Sequence, residues 1–174
     1  MKSNKCVYQR ISLLYAIPLL IFLQGCGIYS FTGTTLSPDL ETITIQNFGL
    51  ATAGGPQNLS IDFNEALKEY YQRNTSLKLK PQEGDLFLGG SITKYEMTPL
   101  ATTASDKAAM NRLTIAVEVS FQNILAEDEN FEQEFSFYQD FSQEQSLTDV
   151  EKGLVTKIID QLVLNIFTAT AAQW

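Results

Sequence analysis

The chain has 174 residues, enough for one domain at roughly 100–200 residues each, and its 44% hydrophobic, 11% aromatic and 18% charged composition excludes a fibrous or wholly disordered protein. It contains no histidine and two cysteines, which excludes a Ser-His-Asp triad, a Cys-His dyad, His-ligated zinc or haem, and a cysteine-only zinc site. Twenty acidic against twelve basic residues give a net charge of −8 and argue against nucleic acid as a partner, because phosphate binding needs Lys/Arg clusters that displace counterions.

The N-terminus is organised differently from the rest. Lys2, Lys5 and Arg10 precede an apolar stretch, Ile11 to Leu23, and the first acidic residue is Asp39. The stretch is shorter than the roughly 20 residues of a bilayer span and fits the 7–15 of a signal-peptide core. Leu23-Gln24-Gly25-Cys26 comes next and resembles the bacterial lipobox. The resemblance implies cleavage before Cys26, a diacylglyceryl group on its thiol and an acyl group on its amine; no other cofactor is expected. The expected layout is residues 1–25 as lipoprotein signal peptide, 26–33 as lipidated tether and 34–174 as the folded domain. Cys6 would leave with the signal peptide, so no disulfide forms. At about 0.8 kcal/mol per buried methylene, two or three acyl chains give effectively permanent attachment. Gly27, where Asp would retain a lipoprotein in the inner membrane, favours the outer membrane. The tether Gly27–Gly33 carries no charge and so lacks an acidic surface-export tag, which places the domain on the periplasmic side.

Glu41–Phe48 alternates polar with β-branched residues and predicts a strand; Ala51–Asn58, with Gly54, Gly55 and Pro56, predicts a loop. From Ser60 to Arg73 the spacing of Phe63, Ala66, Leu67, Tyr70 and Tyr71 predicts a helix capped by Ser60 and stopped at Asn74. Leu77 and Leu79 mark a short strand. Asp85–Met97 predicts a longer one, with Gly89-Gly90 signalling a bulge or a close backbone approach. Thr98–Lys107 predicts a loop. Leu113, Ile115, Val117, Val119 and Phe121 alternate without a break, the clearest strand in the chain. After an acidic turn at Ala126–Asn130, Phe131, Phe135, Phe137 and Phe141 share one parity and Glu132, Glu134 and Asp140 the other, as in a half-buried antiparallel strand. Thr148 and Glu151 have capping-box spacing before a long helix whose stripe is Val150, Leu154, Ile158, Leu162 and Ile166; Gly153 inside it suggests close packing. Runs of strands with few helices predict an α+β two-layer sandwich: a mostly antiparallel sheet with two helices on one face.

Several segments, in order, resemble the lipopolysaccharide-assembly lipoproteins (LptE-like), particularly the Bacteroidetes branch. They are Cys26-Gly27-Ile28-Tyr29-Ser30-Phe31-Thr32-Gly33, Thr42-Ile43-Thr44-Ile45, Glu65-Ala66-Leu67-Lys68, Gly84-Asp85-Leu86, Asn111-Arg112-Leu113-Thr114-Ile115, Phe131-Glu132-Gln133-Glu134-Phe135-Ser136, Gln161-Leu162 and Trp174. The resemblance implies an α/β lipoprotein at the inner leaflet of the outer membrane. Its partners would be lipopolysaccharide and an LptD-like β-barrel translocon, in whose lumen it sits, supporting barrel assembly and lipopolysaccharide delivery. Only Cys26 carries over as a family residue.

No catalytic constellation and no metal site emerges from the residues. Glu127/Asp128/Glu129 and Glu132/Glu134 fall in a turn and along a polar strand face, not across a cleft, and an EF-hand spacing is missing. Gly54-Gly55-Pro56 is not followed by the Lys-Ser/Thr of a phosphate loop. Lys94, Lys107 and Arg112 flank the Thr98–Lys107 segment and are the candidate contacts for lipopolysaccharide or a partner, against the alternative that they are scattered surface charges. A binding module for another envelope ligand is the alternative function; an envelope hydrolase is disfavoured by the missing histidine and nucleophile motif.

Overall fold

The structure is a computed structural model that describes residue 37, residues 39–100 and residues 109–171. The chain divides into two compact units, Met1–Phe31 and Thr32–Trp174. The first unit lies outside the described residues, and with it the expected signal peptide and most of the tether. All the elements described belong to the second.

Six strands and two long helices succeed one another as β1 (Thr42–Ile45), β2 (Gly49–Leu50), α1 (Leu59–Asn74), β3 (Lys78–Leu79), β4 (Leu86–Leu100), β5 (Met110–Asn123), β6 (Phe131–Ser142) and α2 (Leu147–Ala171). The sheet order is β3-β1-β4-β5-β6, with β2 also paired to β4. The short strands pair in parallel (β1 with β3 and β4, β2 with β4), and the long ladders β4–β5 and β5–β6 are antiparallel. The fold is therefore α+β with a mixed sheet, antiparallel over most of its length.

Alternation decides which face is covered. Leu113, Ile115, Val117, Val119 and Phe121 of β5 are buried, and Phe121, Val117 and Ile115 lie opposite Phe131, Phe135 and Phe137 of β6. Both helices pack on this side: Phe63, Leu67 and Tyr71 of α1 and Leu154, Ile158, Leu162 and Ile166 of α2 share one core with it. α2 is long and apolar enough to cross a membrane by composition, but its stripe is spent on the sheet. α1 and α2 also meet directly. The Tyr71 hydroxyl pairs with Thr170, and the Tyr70 and Tyr71 rings stand edge-on to Phe167 at 5.0 and 5.2 Å. Burial holds the Tyr71 phenol neutral well beyond its ordinary range.

β1 is buried on both faces, not on alternate ones. Its two threonines are satisfied by the turn that opens β4. The Asp85 carboxylate accepts from the backbone N–H groups of Glu41 (3.0 Å) and Thr42 (2.8 Å) and from the Thr42 hydroxyl (2.8 Å). Gly84 N–H donates to the Thr44 hydroxyl at 3.0 Å. A Cβ on Gly84 would sit 2.6 Å from the Thr44 nitrogen, so the clip needs glycine there. The donors from Thr42 and Glu41 hold the Asp85 carboxyl below the ordinary carboxylate range. Gly84-Asp85-Leu86 thus carries the register of the parallel pair. The segment between β1 and β2 is pinned by buried Asn64, which exchanges hydrogen bonds with the Phe48 N–H (2.8 Å) and C=O (3.0 Å).

Four local expectations are corrected. α1 begins one residue earlier, at Leu59, and Ser60 is no cap: its hydroxyl donates to the Phe48 carbonyl at 2.5 Å. The irregularity of β4 lies at Thr93, where the register shifts between Ile92 and Lys94, while Gly90 provides the close approach, facing the Glu118 carbonyl. Thr98–Leu100 is strand, paired with Arg112–Met110, not loop. α2 starts at Leu147, which puts Thr148 inside the first turn, and Glu151 accepts the Tyr95 hydroxyl at 2.5 Å, so the capping box is replaced by a tertiary bond. Burial and the Glu151 carboxylate push the Tyr95 phenol up.

Gly153 does not serve close packing either, since a Cβ there would meet nothing within 4 Å. Glycine in a helix interior costs about 1 kcal/mol relative to alanine. Gly153→Ala is therefore expected to raise stability by up to about 1 kcal/mol, seen as a higher urea midpoint; a lower midpoint would show that the open space is needed by the fold.

Candidate functional site: the open face of the sheet

The second face of the β4–β5–β6 sheet carries no helix among the described residues. Its rows are set by the register: Lys94 opposite Ala116, Glu96 opposite Thr114, Thr98 opposite Arg112, and across to β6, Arg112 opposite Asp140, Thr114 opposite Tyr138, Ala116 opposite Ser136, Glu118 opposite Glu134, Ser120 opposite Glu132. Apart from Ala116 and Tyr138 every one of these side chains is polar or charged. Strands are half-buried because one face is apolar; the other is wet by construction.

Charge on this face is graded along the strands. Toward Asn123, Glu118, Glu132 and Glu134 stand together, Glu118 directly across from Glu134. Like charges in that position disfavour the sheet, and the Thr93 hydroxyl, delivered by the bulge, donates to Glu134 at 3.3 Å. Toward Met110 the charges are mixed, Lys94 and Glu96 on β4 and Arg112 opposite Asp140. Arg112 forms a two-point bridge to Asp140, Nε to Oδ1 at 2.8 Å and Nη2 to Oδ2 at 2.9 Å, with its guanidinium 3.6 Å above the Tyr138 ring centre. This pairing raises the Arg112 pKa and lowers that of Asp140.

Of the three candidate contact residues, Lys94 and Arg112 lie on this one face, about 13 Å apart by four residues of strand rise. Lys94 is exposed. Arg112 is held by Asp140 and Tyr138, with two of its five N–H groups in the carboxylate bridge. Lys107 lies outside the described residues, as does Cys26. The Asp140 partnership is legible in the sequence only through the register, which composition does not give.

Among the described residues the surface also has open clefts. One of about 690 Å³ sits beside β1, lined by Gln46, Asn47, Lys68, Gln82, Glu83 and Phe87 among others, with Lys68 Nζ donating to Asn47 at 2.6 Å. Another, about 510 Å³, sits at the start of α2 between Met110, Asp140, Gln145, Asp149 and Lys157. Among the described residues no group of three or more Cys, Asp or Glu is placed to hold a metal ion.

A family model described as lipopolysaccharide-assembly, LptE, matches residues 40–170, from just before β1 to the last turn of α2. The chain belongs to the LptE family. The chain is similar to an uncharacterized lipoprotein B from Nitrosomonas europaea, at 15% identity with a TM-score of 0.53, covering 82% of this chain and 87% of that one. Further likenesses are to a minor lipoprotein from Acinetobacter baumannii (14% identity, TM-score 0.47, 76% of this chain and 98% of that one) and to the rare lipoprotein B from Shewanella oneidensis (10%, 0.48, 72% and 89%). No curated protein matches the chain. At the level of the LptE family the role is lipopolysaccharide assembly in the Gram-negative envelope, by a lipoprotein that is an assembly factor, not an enzyme.

Proposed function

We propose that this LptE-family chain is an outer-membrane lipoprotein, anchored through acylated Cys26 on the periplasmic side. In this reading it partners the lipopolysaccharide-transport β-barrel, supporting barrel assembly and the passage of lipopolysaccharide to the surface. Family membership over residues 40–170 carries the assignment. The open sheet face supports the mode of contact. Barrel interiors are polar, so a partner seated in one needs a polar, hydrogen-bonding surface and few apolar anchors. The rows from Arg112 to Ser120 present such a surface over about 25–30 Å, at about 3.3 Å per residue.

Cys26→Ser is expected to yield an unacylated or uncleaved precursor that no longer fractionates with the outer membrane. Mass spectrometry of the N-terminal peptide checks it; normal acylation would end the anchoring claim.

The cations divide by their environment. Exposed Lys94 has its ammonium open to lipid phosphates, whereas Arg112 is bridged to Asp140. Joint charge reversal, Lys94→Glu with Lys107→Glu, should lower lipopolysaccharide binding several-fold and leave the melting temperature unchanged. Arg112→Glu should instead lower the melting temperature, by setting two carboxylates against each other beside Asp140. Wild-type binding by a folded double variant would remove this end of the sheet from the lipopolysaccharide path.

A further inference from the structure

We propose that the outer edge of β6 takes one extended segment of a partner protein as a further strand of the sheet, a segment that alternates apolar with basic residues.

β6 is the last strand of the sheet order, and among the described residues nothing pairs with its far side. The ladder to β5 settles which groups face outward. The Gln143 N–H donates to the Ala109 carbonyl at 3.0 Å, one step beyond the Met110–Ser142 pair. Hydrogen-bonded and open pairs alternate in an antiparallel ladder. The odd pairs, from Asn111–Phe141 to Phe121–Phe131, are thus the ones that exchange bonds, and the even residues of β6 turn their N–H and C=O groups away from β5. Glu132, Glu134, Ser136, Tyr138 and Asp140 are all exposed, so this row of donors and acceptors can be reached. Proteins ordinarily blunt such an edge with lysine, proline, a bulge or a covering element. β6 runs for 12 residues without lysine or proline and holds one register with β5 throughout. An added strand recognises a row of this kind through its own backbone.

The side chains select the strand. On the polar face Glu132 and Glu134 stand beside Glu118, and among the described residues none of the three has an ion pair. Cations placed across from the two edge carboxylates would relieve that repulsion. On the other face Phe131 and Phe137 are only half-buried, so apolar side chains of the added strand would cover two aromatic rings. Successive side chains of a strand point to opposite faces, which turns these two demands into a basic–apolar alternation. A second copy of β6 does not meet them. Antiparallel pairing about Ser136 sets Glu132 against Asp140, and pairing about Phe137 sets Glu134 against Asp140. The added strand lies beside the sheet, so the polar face stays free for the barrel contact proposed above.

The test uses the full chain in zwitterionic detergent and a fluorescent peptide of alternating lysine and valine, with binding read by anisotropy. Three comparisons accompany it: the same peptide N-methylated at its lysine amides, which are the ones that would face β6; a glutamate–valine peptide; and the variant Ser136→Pro. Proline at this position removes an outward donor and no ladder bond, so the variant is expected to melt near the wild-type temperature. The lysine–valine peptide should bind the wild-type chain, several-fold more weakly the Ser136→Pro variant, and the other two peptides should not bind. Absence of binding by the lysine–valine peptide would overturn the proposal. Undiminished binding of the methylated peptide would mean adsorption by charge alone and overturn it too, and that comparison requires no variant to fold. Equal binding of the glutamate–valine peptide would remove the basic pattern and the proposal with it. A wild-type dimer that Ser136→Pro converts to a monomer would place a second copy on the edge and overturn it equally.

Discussion

Gly90→Ala is expected to destabilise the domain by about 4 kcal/mol, enough to unfold much of the population of a domain whose total stability is about 5–15 kcal/mol. Gly90 has φ +154°, and a Cβ built there falls 1.9 Å from the Glu118 carbonyl oxygen and 2.7 Å from the Phe48 ring. The first neighbour is backbone of the paired strand, so relief requires β4 and β5 to separate in the middle of the longest ladder. Backbone strain of about 1–3 kcal/mol adds to overpacking of similar size. Gly89→Ala is the internal control. The nearest neighbours of its Cβ would be the side chains of Gln46 and Phe87, at 2.8 and 3.0 Å, which can turn aside. Urea denaturation followed by circular dichroism distinguishes them: a Gly90→Ala midpoint close to that of Gly89→Ala would mean that the two strands do not approach as described.

Ile158→Ala should cost about 2–5 kcal/mol, the range for deleting a buried aliphatic side chain together with the cavity it leaves. Ile158 is wholly buried in the middle of α2, in the same core as Leu113, Ile115 and Val117. Leu164→Ala, on the same helix but 40% exposed, should stay within about 0.5 kcal/mol of wild type. Equal melting temperatures for the two variants would show that the Ile158 stripe faces something other than this sheet.

These effects trace how far the residues announce the fold. β5 is legible because its odd face is buried from Leu113 to Phe121, and β6 because Phe131, Phe135, Phe137 and Phe141 keep one parity, with Phe135 and Phe141 buried. β4 is legible as a strand to Met97, and only Thr98–Leu100 is lost. The bulge at Thr93 moves the core-facing residues from even positions (Leu86, Leu88, Ile92) to odd ones, as at Tyr95, so the single parity that would carry the strand onward fails. Pro99 strengthens the false loop reading. It is tolerated because β2 accompanies β4 only as far as Ile92, which leaves the last half of β4 an edge among the described residues. Thr148 and Glu151 have the spacing of a capping box, but a hydroxyl 56 residues away in sequence, on Tyr95, takes the carboxylate. Such competition is invisible locally. The same holds for the candidate site: Lys94 and Arg112 are legible as cations, while the Asp140 bridge that occupies Arg112 is a product of β5–β6 register. The Gly-Asp pair before an apolar run hints at the Asp85 clip, but the donors that fill it, on Thr42 and Glu41, are more than 40 residues distant.

The contact proposed for this LptE-family chain is with a barrel. Affinity purification of the tagged full chain from outer membranes, with identification of what accompanies it, tests that most directly. The expected result is a large β-barrel protein in near-stoichiometric amount, held through the polar sheet face, with lipopolysaccharide in the same fraction. Recovery of the chain from outer membranes without any barrel protein would contradict it.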